Sequence, residues 1–572
     1  MPTNFAGTDV APLAVQIPPF NLSTDIPTVV FVPGSVFLNL NSDALFGVNM
    51  GTFITTVVSQ NFAGPLAEVF GGQFFEKIIV SPLTQKLGFV ITDTQFTVDV
   101  WNTFRNIGQL LSSISLSGTG DLVVQNPFTM PTFYAALDDR TYQVLVPKTG
   151  APTINETICW IFQSGSGGTC ILVTGNRVVL FSAPIDWNSG FKEKIGYLTD
   201  VLKMYSDAEQ RRALRQLARR GAVMRAKGLT AREAAGIESL IWGWQNQPYG
   251  VPWWPDATPL LANAPIGSTV LQVNTTDLQF APNGIAAIWK DEFTFEALYV
   301  IGVTPTTLTL GAPTQLAWTA GASTRVMPVF LGRLPNGIDV QRLFSGADEM
   351  EMDFSGEAQQ IAPAPTIALT QYHGFDILEI PANWPSDLKR KYSRSLLHID
   401  PGTGPIAVID RGGSPITSQP FPWLMLNHSQ VTTLRAFFLA RFGKLNPFWI
   451  PTWDQDLYMA QDAVLSDTGI KIQSEFYTRF MFSNKARRDV ALIPYDSSGN
   501  VYRRVTASID NGDGTETLTF DSPLPKAFPA AKTMVSFLVF ARLDVDDLEI
   551  EWMNSDLAQT VVEITELPRE VP

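Results

Sequence analysis

At 572 residues the chain is too long for one hydrophobic core and divides into several domains. Only 16% of its residues are charged against 45% hydrophobic, with 42 Gly, 40 Pro and 37 Phe, a balance that suits many short strands joined by tight turns. The net charge of −14 excludes a general nucleic-acid coat, which needs a clustered excess of Lys and Arg, and is compatible with an acidic wall around passing DNA.

In chain order, residues 1–84 are rich in Phe, Val and Gly and read as an apolar segment that packs on other subunits. They begin with no basic stretch followed by an apolar core, so no secretory leader is expected and folding in a cytoplasm is. Ala44–Val58 is the most membrane-like run, but Gly47, Asn49 and Gly51 interrupt it and it falls short of the roughly 18–20 apolar residues of a span. Phe96, Val98 and Val100 then alternate before Trp101, and short strands recur through Val144, Val146, Ile158 and Ile171–Val173. This pattern predicts an immunoglobulin-like β-sandwich over residues 85–182. Cys159 and Cys170 lie symmetrically about Ser164 and Gly165, as on two strands of one hairpin. A pair of buried thiols is favoured there over a disulfide, and neither implies redox chemistry.

An internal repeat organises the rest. Pro248–Ala257 (PYGVPWWPDA) is answered by Pro447–Asp456 (PFWIPTWDQD), 199 residues later. Pro184–Lys194 matches Pro381–Lys391 at an offset of 197, with Trp187 opposite Trp384. Ile285–Asp291 matches Val490–Asp496 and Thr307–Pro313 matches Thr517–Pro523, at offsets of 205 and 210. Val329–Leu334 parallels Leu538–Leu543, and Met350–Phe354 parallels Leu548–Trp552. The chain therefore reads as mainly β with α segments, with two tandem helix-plus-β modules at 183–355 and 381–555, a linker at 356–380 and a tail at 556–572.

Each module is expected to open with helices. In the first, Phe191–Met204 and Asp207–Lys227 are helix-like, with Ser206 or Asp207 as N-cap, and Thr230–Trp244 follows with Thr230 capping and Glu233 at the capping-box position. In the second, Thr432–Phe442 is the counterpart of that last helix and Gly443 stops it. Short alternating runs such as Leu271/Val273 and Ile470/Ile472 then predict strands. The turn Asp510–Thr515 (DNGDGT) resembles a calcium loop, but its counterpart Gly302–Thr307 has no carboxylate, so a hairpin turn without metal is expected.

Catalytic constellations are scarce. The three histidines, His373, His398 and His428, leave little for a zinc site or a triad, and no phosphate-cradling glycine loop occurs. Glu349/Glu351 and Glu549/Glu551, spaced by two, share one strand face instead of flanking a substrate. The one strongly basic run, Glu209–Arg220 (EQRRALRQLARR), extended by Arg225 and Lys227, would set Arg211, Arg215 and Arg219 on one helical face. With Arg212 and Arg220 these residues are the candidate protein interface, favoured over DNA contact or a merely solvated face in so acidic a chain. The Trp-rich corners, Trp242/Trp244/Trp253/Trp254 and Trp449/Trp453, recur where helix meets sheet, which favours packing over sugar stacking.

Trp187 and Glu193, the EQR-x-ALR run at Glu209–Arg215 and the V-P-x-W-x-D corner at Val251–Asp256 resemble segments of tail proteins of long-tailed bacteriophages and prophages. Phe96–Asn102 and Gly175–Arg177 are similar to the immunoglobulin-like portion of such proteins, so the resemblance covers most of residues 85–555. The second module has no EQR run, and LARR stands where Pro-Arg is common in the first. The resemblance implies a structural subunit of the tail tip or baseplate, of distal tail type, with no catalytic residues and no cofactor. It implies a virion location after assembly in the host cytoplasm, and tail tube and baseplate proteins as partners, with no membrane span and no specific nucleic-acid binding. Three chains of two modules each would give six quasi-equivalent units, so a trimeric ring is preferred to a hexamer. A receptor-binding tail protein contacting host glycan or pilus is the alternative. A tail hydrolase relying on Glu193 or Glu209 is disfavoured, because no acid/base pair has a plausible site around it.

Overall fold

A computed structural model describes residues 31–32, 35–36, 75–163, 168–228, 230–244, 247–336, 338–344, 347–356, 369–383 and 390–572. Most of the apolar N-terminal segment, the Ser164–Gly165 turn and Trp384 lie outside the described residues. Strands dominate, as composition suggests, and among the described residues no helix is long and apolar enough to cross a membrane.

The chain divides into two compact units. The first holds β1 (Ile78–Ser81), β2 (Thr84–Val90), β3 (Thr94–Asn102), β4 (Gln109–Gly118), β5 (Val123–Gln125), β6 (Thr132–Tyr134), β7 (Asp139–Val146), β8 (Thr153–Phe162) and β9 (Gly168–Arg177). One sheet runs β1-β3-β7-β5 and the other β2-β9-β8-β4-β6. Inward-facing residues alternate along the strands: Val98 and Val100, Tyr142 and Val144, Ile158 and Trp160 are all buried. Tyr142 of the first sheet reaches the second through a 2.6 Å hydroxyl contact with Tyr134 and a 5.6 Å ring contact with Trp160. Asn102 ends β3 by donating its amide to the carbonyls of Ile107 and Ala135, which gives the Trp-Asn pair of the sequence pattern a structural task. β1 lies before the expected boundary at residue 85 and yet belongs to this unit, because it pairs with β3. Cys159 and Cys170 form a disulfide, correcting the expectation of buried thiols: β8 and β9 are neighbours, the two Cα atoms are 4.1 Å apart, and Cys170 is exposed.

The second unit comprises residues 88–93, 148–152 and 176–572. Its first half contains β10 (Val179–Leu180), β11 (Phe191–Gly196), β12 (Thr199–Lys203), β13 (Glu209–Ala213), β14 (Arg219–Gly228) and α1 (Ala231–Trp244). It continues through β15 (Tyr249–Pro252), β16 (Thr258–Leu260), β17 (Val270–Gln272), β18 (Gly284–Asp291), β19 (Thr294–Thr304), β20 (Thr307–Leu310), β21 (Gly321–Arg333), β22 (Asp339–Phe344) and β23 (Ala347–Gly356). After β24 (Gln371–Tyr372) and β25 (Phe375–Asp376), the second half contains β26 (Lys391–Ser393), β27 (Leu396–Ile399), β28 (Ala407–Asp410), β29 (Ile416–Met425) and α2 (His428–Arg441). Then come β30 (Phe448–Pro451), β31 (Gly469–Gln473), α3 (Tyr477–Phe480), β32 (Asp489–Pro494), β33 (Val501–Asp510), β34 (Thr515–Phe520), β35 (Thr533–Leu543), β36 (Asp547–Trp552) and β37 (Ala558–Glu566).

The two halves pair their strands alike. Tyr249 lies opposite Gly332 and Phe448 opposite Ala541; Leu271 opposite Leu308 and Ile470 opposite Leu518. Isolated bridges join Ala264 to Trp318 and Ala463 to Phe528. Val201 faces Arg211 as His398 faces Val408, and Lys194 faces Gly221 as Lys391 faces Ser418. These registers correct one sequence match. β23 pairs with β14 through Ser355 and Gly221, and its counterpart by register is β37, where Thr565 faces Ser418. The strand corresponding to Leu548–Trp552 is therefore Ile338–Arg342, not Met350–Phe354.

Three further expectations are corrected. The expected helices at 191–204 and 207–227 are the strands β11 to β14, with Asp207 in the turn between β12 and β13 at a positive φ of 64°. Tertiary pairing overrides local helix propensity here, since β11 lies hydrogen-bonded between β14 and β36. The expected linker at 356–380 already contains core residues, as Ile377 and Leu378 are buried and bridge to β30. The expected tail at 556–572 holds β37, an interior strand paired with β29, β35 and β36. By contrast α1 carries the expected capping box, with Thr230 and Glu233 exchanging backbone-to-side-chain bonds of 2.9 and 3.2 Å. Gly443 follows α2 with φ 63°, after Phe442 at φ 53°. Asp510–Thr515 closes the β33–β34 hairpin.

Candidate functional site

The junction between the halves is a strand pair. β11 of the first half lies antiparallel to β36 of the second, with Phe191 opposite Trp552, Lys194 opposite Glu549 and Ile195 opposite Leu548. Gly196 permits the close approach, since a Cβ there would meet the Asp547 carboxylate at 2.1 Å; within the first half, one on Gly221 would meet the Phe354 carbonyl oxygen of β23 at 2.9 Å. One apolar core then runs through both halves, from Phe191 and Trp253 to Phe437, Ile550 and Trp552.

A buried carboxylate sits at the centre of this junction. Glu193 on β11 accepts from Arg435 of α2 at 2.7 Å, from Arg220 of β14 at 3.3 Å and from the Trp552 indole at 3.5 Å. The Arg220 guanidinium stacks 3.7 Å from the centre of the Trp253 ring, and burial lowers its pKa to about 10 despite Glu193 beside it. Beside this centre, His428 of α2 lies 3.4 Å from Asp256 of the first half. Burial lowers the imidazole pKa, and the hydrogen bond and charge of Asp256 outweigh it, leaving the pKa raised.

A second ionic cluster ties the β12–β13 hairpin to the second half. Glu209 accepts from Arg542 Nε at 2.6 Å and Nη2 at 3.0 Å, with Lys203 and Arg211 at 3.5 and 3.4 Å. Burial raises the Glu209 carboxyl, and these cations more than reverse it, so it lies below its ordinary value. Arg211 also bonds Glu570.

The five arginines proposed as an interface are thus not one helical face. Arg211 and Arg220 turn inward onto carboxylates, Arg215 donates to the Gly196 carbonyl, and Arg212 and Arg219 are exposed on a strand and at a strand start. Arg215, Arg219 and Arg220 do meet Lys194, Arg333, Asp353 and Asp547 around a cleft of about 510 Å³. Neighbouring strand faces carry matched charges, Lys192 with Glu549 at 3.1 Å, Lys194 with Asp353 at 3.1 Å and Arg225 with Glu351 at 2.6 Å. The acidic pairs are therefore paired strand faces, as their spacing suggests.

The chain matches no known family model and no curated protein.

Chemically, the arrangement holds surfaces together. The Glu193 and Glu209 side chains are almost wholly buried, and each is shared between guanidinium groups. Trp253, Trp254 and Trp449 are buried in the core as the repeat suggests, but Trp242 is 90% exposed on α1, against the packing expected of it. Sequence reasoning missed Arg435, Arg542 and Glu570 because each meets its partner from 242 to 361 residues away. Only the resemblance drew attention to Glu193, whereas Glu209 also opens the basic run.

Proposed function

We propose that this chain is a structural subunit of a bacteriophage tail tip, a ring-forming adaptor between the tail tube and distal components, working without cofactor or catalysis. The reading includes an immunoglobulin-like first unit and two copies of one module in the second. Its main support is the matched strand register of the two halves, including residues with no sequence likeness such as Val201–Arg211 and His398–Val408. Two modules joined head to tail within one chain are what a quasi-sixfold ring of three chains requires. The motifs around Trp187, Glu209–Arg215 and Val251–Asp256 supply the phage-tail part of the reading.

The mass of the purified chain by light scattering, with class averages of the same sample in the electron microscope, tests it. A trimer whose averages show six lobes is expected. A monomer at every concentration would overturn the adaptor, and a six-chain ring would overturn the trimeric form.

A further inference from the structure

The junction inside the chain leaves its two equivalents unused. Register and helix length set the correspondence: α1 and α2 each span 14 residues, and their N-terminal caps Thr230 and Asn427 are 197 residues apart. By that offset β26 corresponds to the end of β11, which in the first half is sandwiched between β14 and β36. By the β23–β37 register, β22 corresponds to β36. Yet β26 is hydrogen-bonded only to β29, and β22 only to β23, among the described residues. Each therefore offers an edge with no strand partner among the described residues.

Burial follows the same contrast. At the internal junction Leu548, Ile550, Phe438 and Leu439 are all buried. At the corresponding positions Val340 is 41% exposed and Trp242 90%, Ile338 and Ile241 are half-buried, and Tyr392, the counterpart of the buried Ile195 opposite Leu548, is 60% exposed. An exposed apolar edge of this kind is a template for adding a strand.

We infer that β26 of one copy of this chain pairs antiparallel with β22 of a second copy, against its α1, in the manner of β11, β36 and α2 within one chain. The partner is a second copy because the charges agree. Lys194 faces Glu549 in the internal junction, and the corresponding pair between chains is Lys391 facing Asp339. The internal Glu193–Arg435 bond becomes Arg390 with Glu238, reversed in sign on both sides and so still complementary. Arg390 already bonds Gln419 and Asp454, which leaves guanidinium donors to spare, and Glu238 is held on the α1 surface by Arg342 at 2.8 Å. A surface that joins β26 to β22 is heterologous, so repetition gives a closed ring or an open filament. The inference rests on the duplicated-module reading above.

The test combines charge reversal with cross-linking on the full chain. Glu238→Arg alone is expected to raise the concentration for half-assembly at least about tenfold, and adding Arg390→Glu to return it to within about threefold of the parent. Asp339→Cys with Lys391→Cys should give covalent oligomers on mild oxidation, since the two residues face each other across the new pair. Melting of each variant's isolated chain confirms that it is folded. A parent that oligomerises while E238R assembles normally and no cross-link forms would overturn this junction and leave the adaptor standing. Cross-linked open filaments would support the junction and overturn the ring. A parent that stays monomeric and uncross-linked overturns both.

Discussion

A carboxylate removed from water needs cationic partners, and Glu193 draws Arg220 from 27 residues away and Arg435 from 242. The bond to Arg435 crosses between the halves, so one side chain couples the strand β11 to the helix α2. Glu193→Ala should lower the unfolding free energy of the second unit by about 3–5 kcal/mol, because two buried guanidinium groups lose their anion. Glu193→Leu combined with Arg435→Met should recover at least half of that loss, since the uncompensated charge leaves with its partner and Arg220 keeps Gln279 and the Trp253 ring. Urea titration of the three proteins measures both. A loss below about 1 kcal/mol in the single variant would mean that water reaches the guanidinium groups and that the junction is not dry.

The helices show how unevenly sequence signals translate into elements. α1 was legible because its signals are local: a Thr cap, a Glu three residues on and an apolar stripe. The strands β11 to β14 were not, because the Arg, Leu and Ala content of 207–227 favours helix, and the strands that compete for them lie far off in the chain, β23 for β14 and β36 for β11. Two local signs of strand were present: Gly196 and Gly221 bracket the basic run, and Ala222, Met224 and Ala226 alternate with outward residues. The strand-rich character was legible in composition and in short apolar alternations, whereas the ionic centres, made of contacts between distant residues, left no local trace. α2 also carries a titration. His428 at its first turn has a raised pKa beside Asp256, so the stabilisation it adds is fully present below its ordinary value of 6.5 and is lost as pH rises through the raised folded value. The melting temperature of the parent minus that of His428→Gln should therefore be largest near about pH 6 and shrink toward about pH 8. A difference that grows with pH would show that the imidazole is held neutral.

At the scale of the whole molecule, two electrostatic effects oppose each other when copies associate. Each chain carries a net charge of −14, so copies repel over the Debye length, about 30 Å at 0.01 M salt and about 10 Å at 0.1 M. The inferred pairs Lys391–Asp339 and Arg390–Glu238 act at contact distance, and salt weakens them only when the Debye length approaches that distance, near about 3 Å at 1 M. Long-range repulsion is thus screened first and local attraction last. Assembly should pass through a maximum near about 0.1 M salt, weaker at about 0.01 M because the chains repel and weaker at about 1 M because the ion pairs fade. The internal junction, where Glu193 is buried, should hold throughout, so the melting temperature of the isolated chain should change much less than the oligomer fraction. Mass photometry across the salt series reads this directly. An oligomer fraction that rises steadily to the highest salt would mean that apolar burial around Trp242, Val340 and Tyr392 drives association unaided, and the charge pairing would lose its role in setting register.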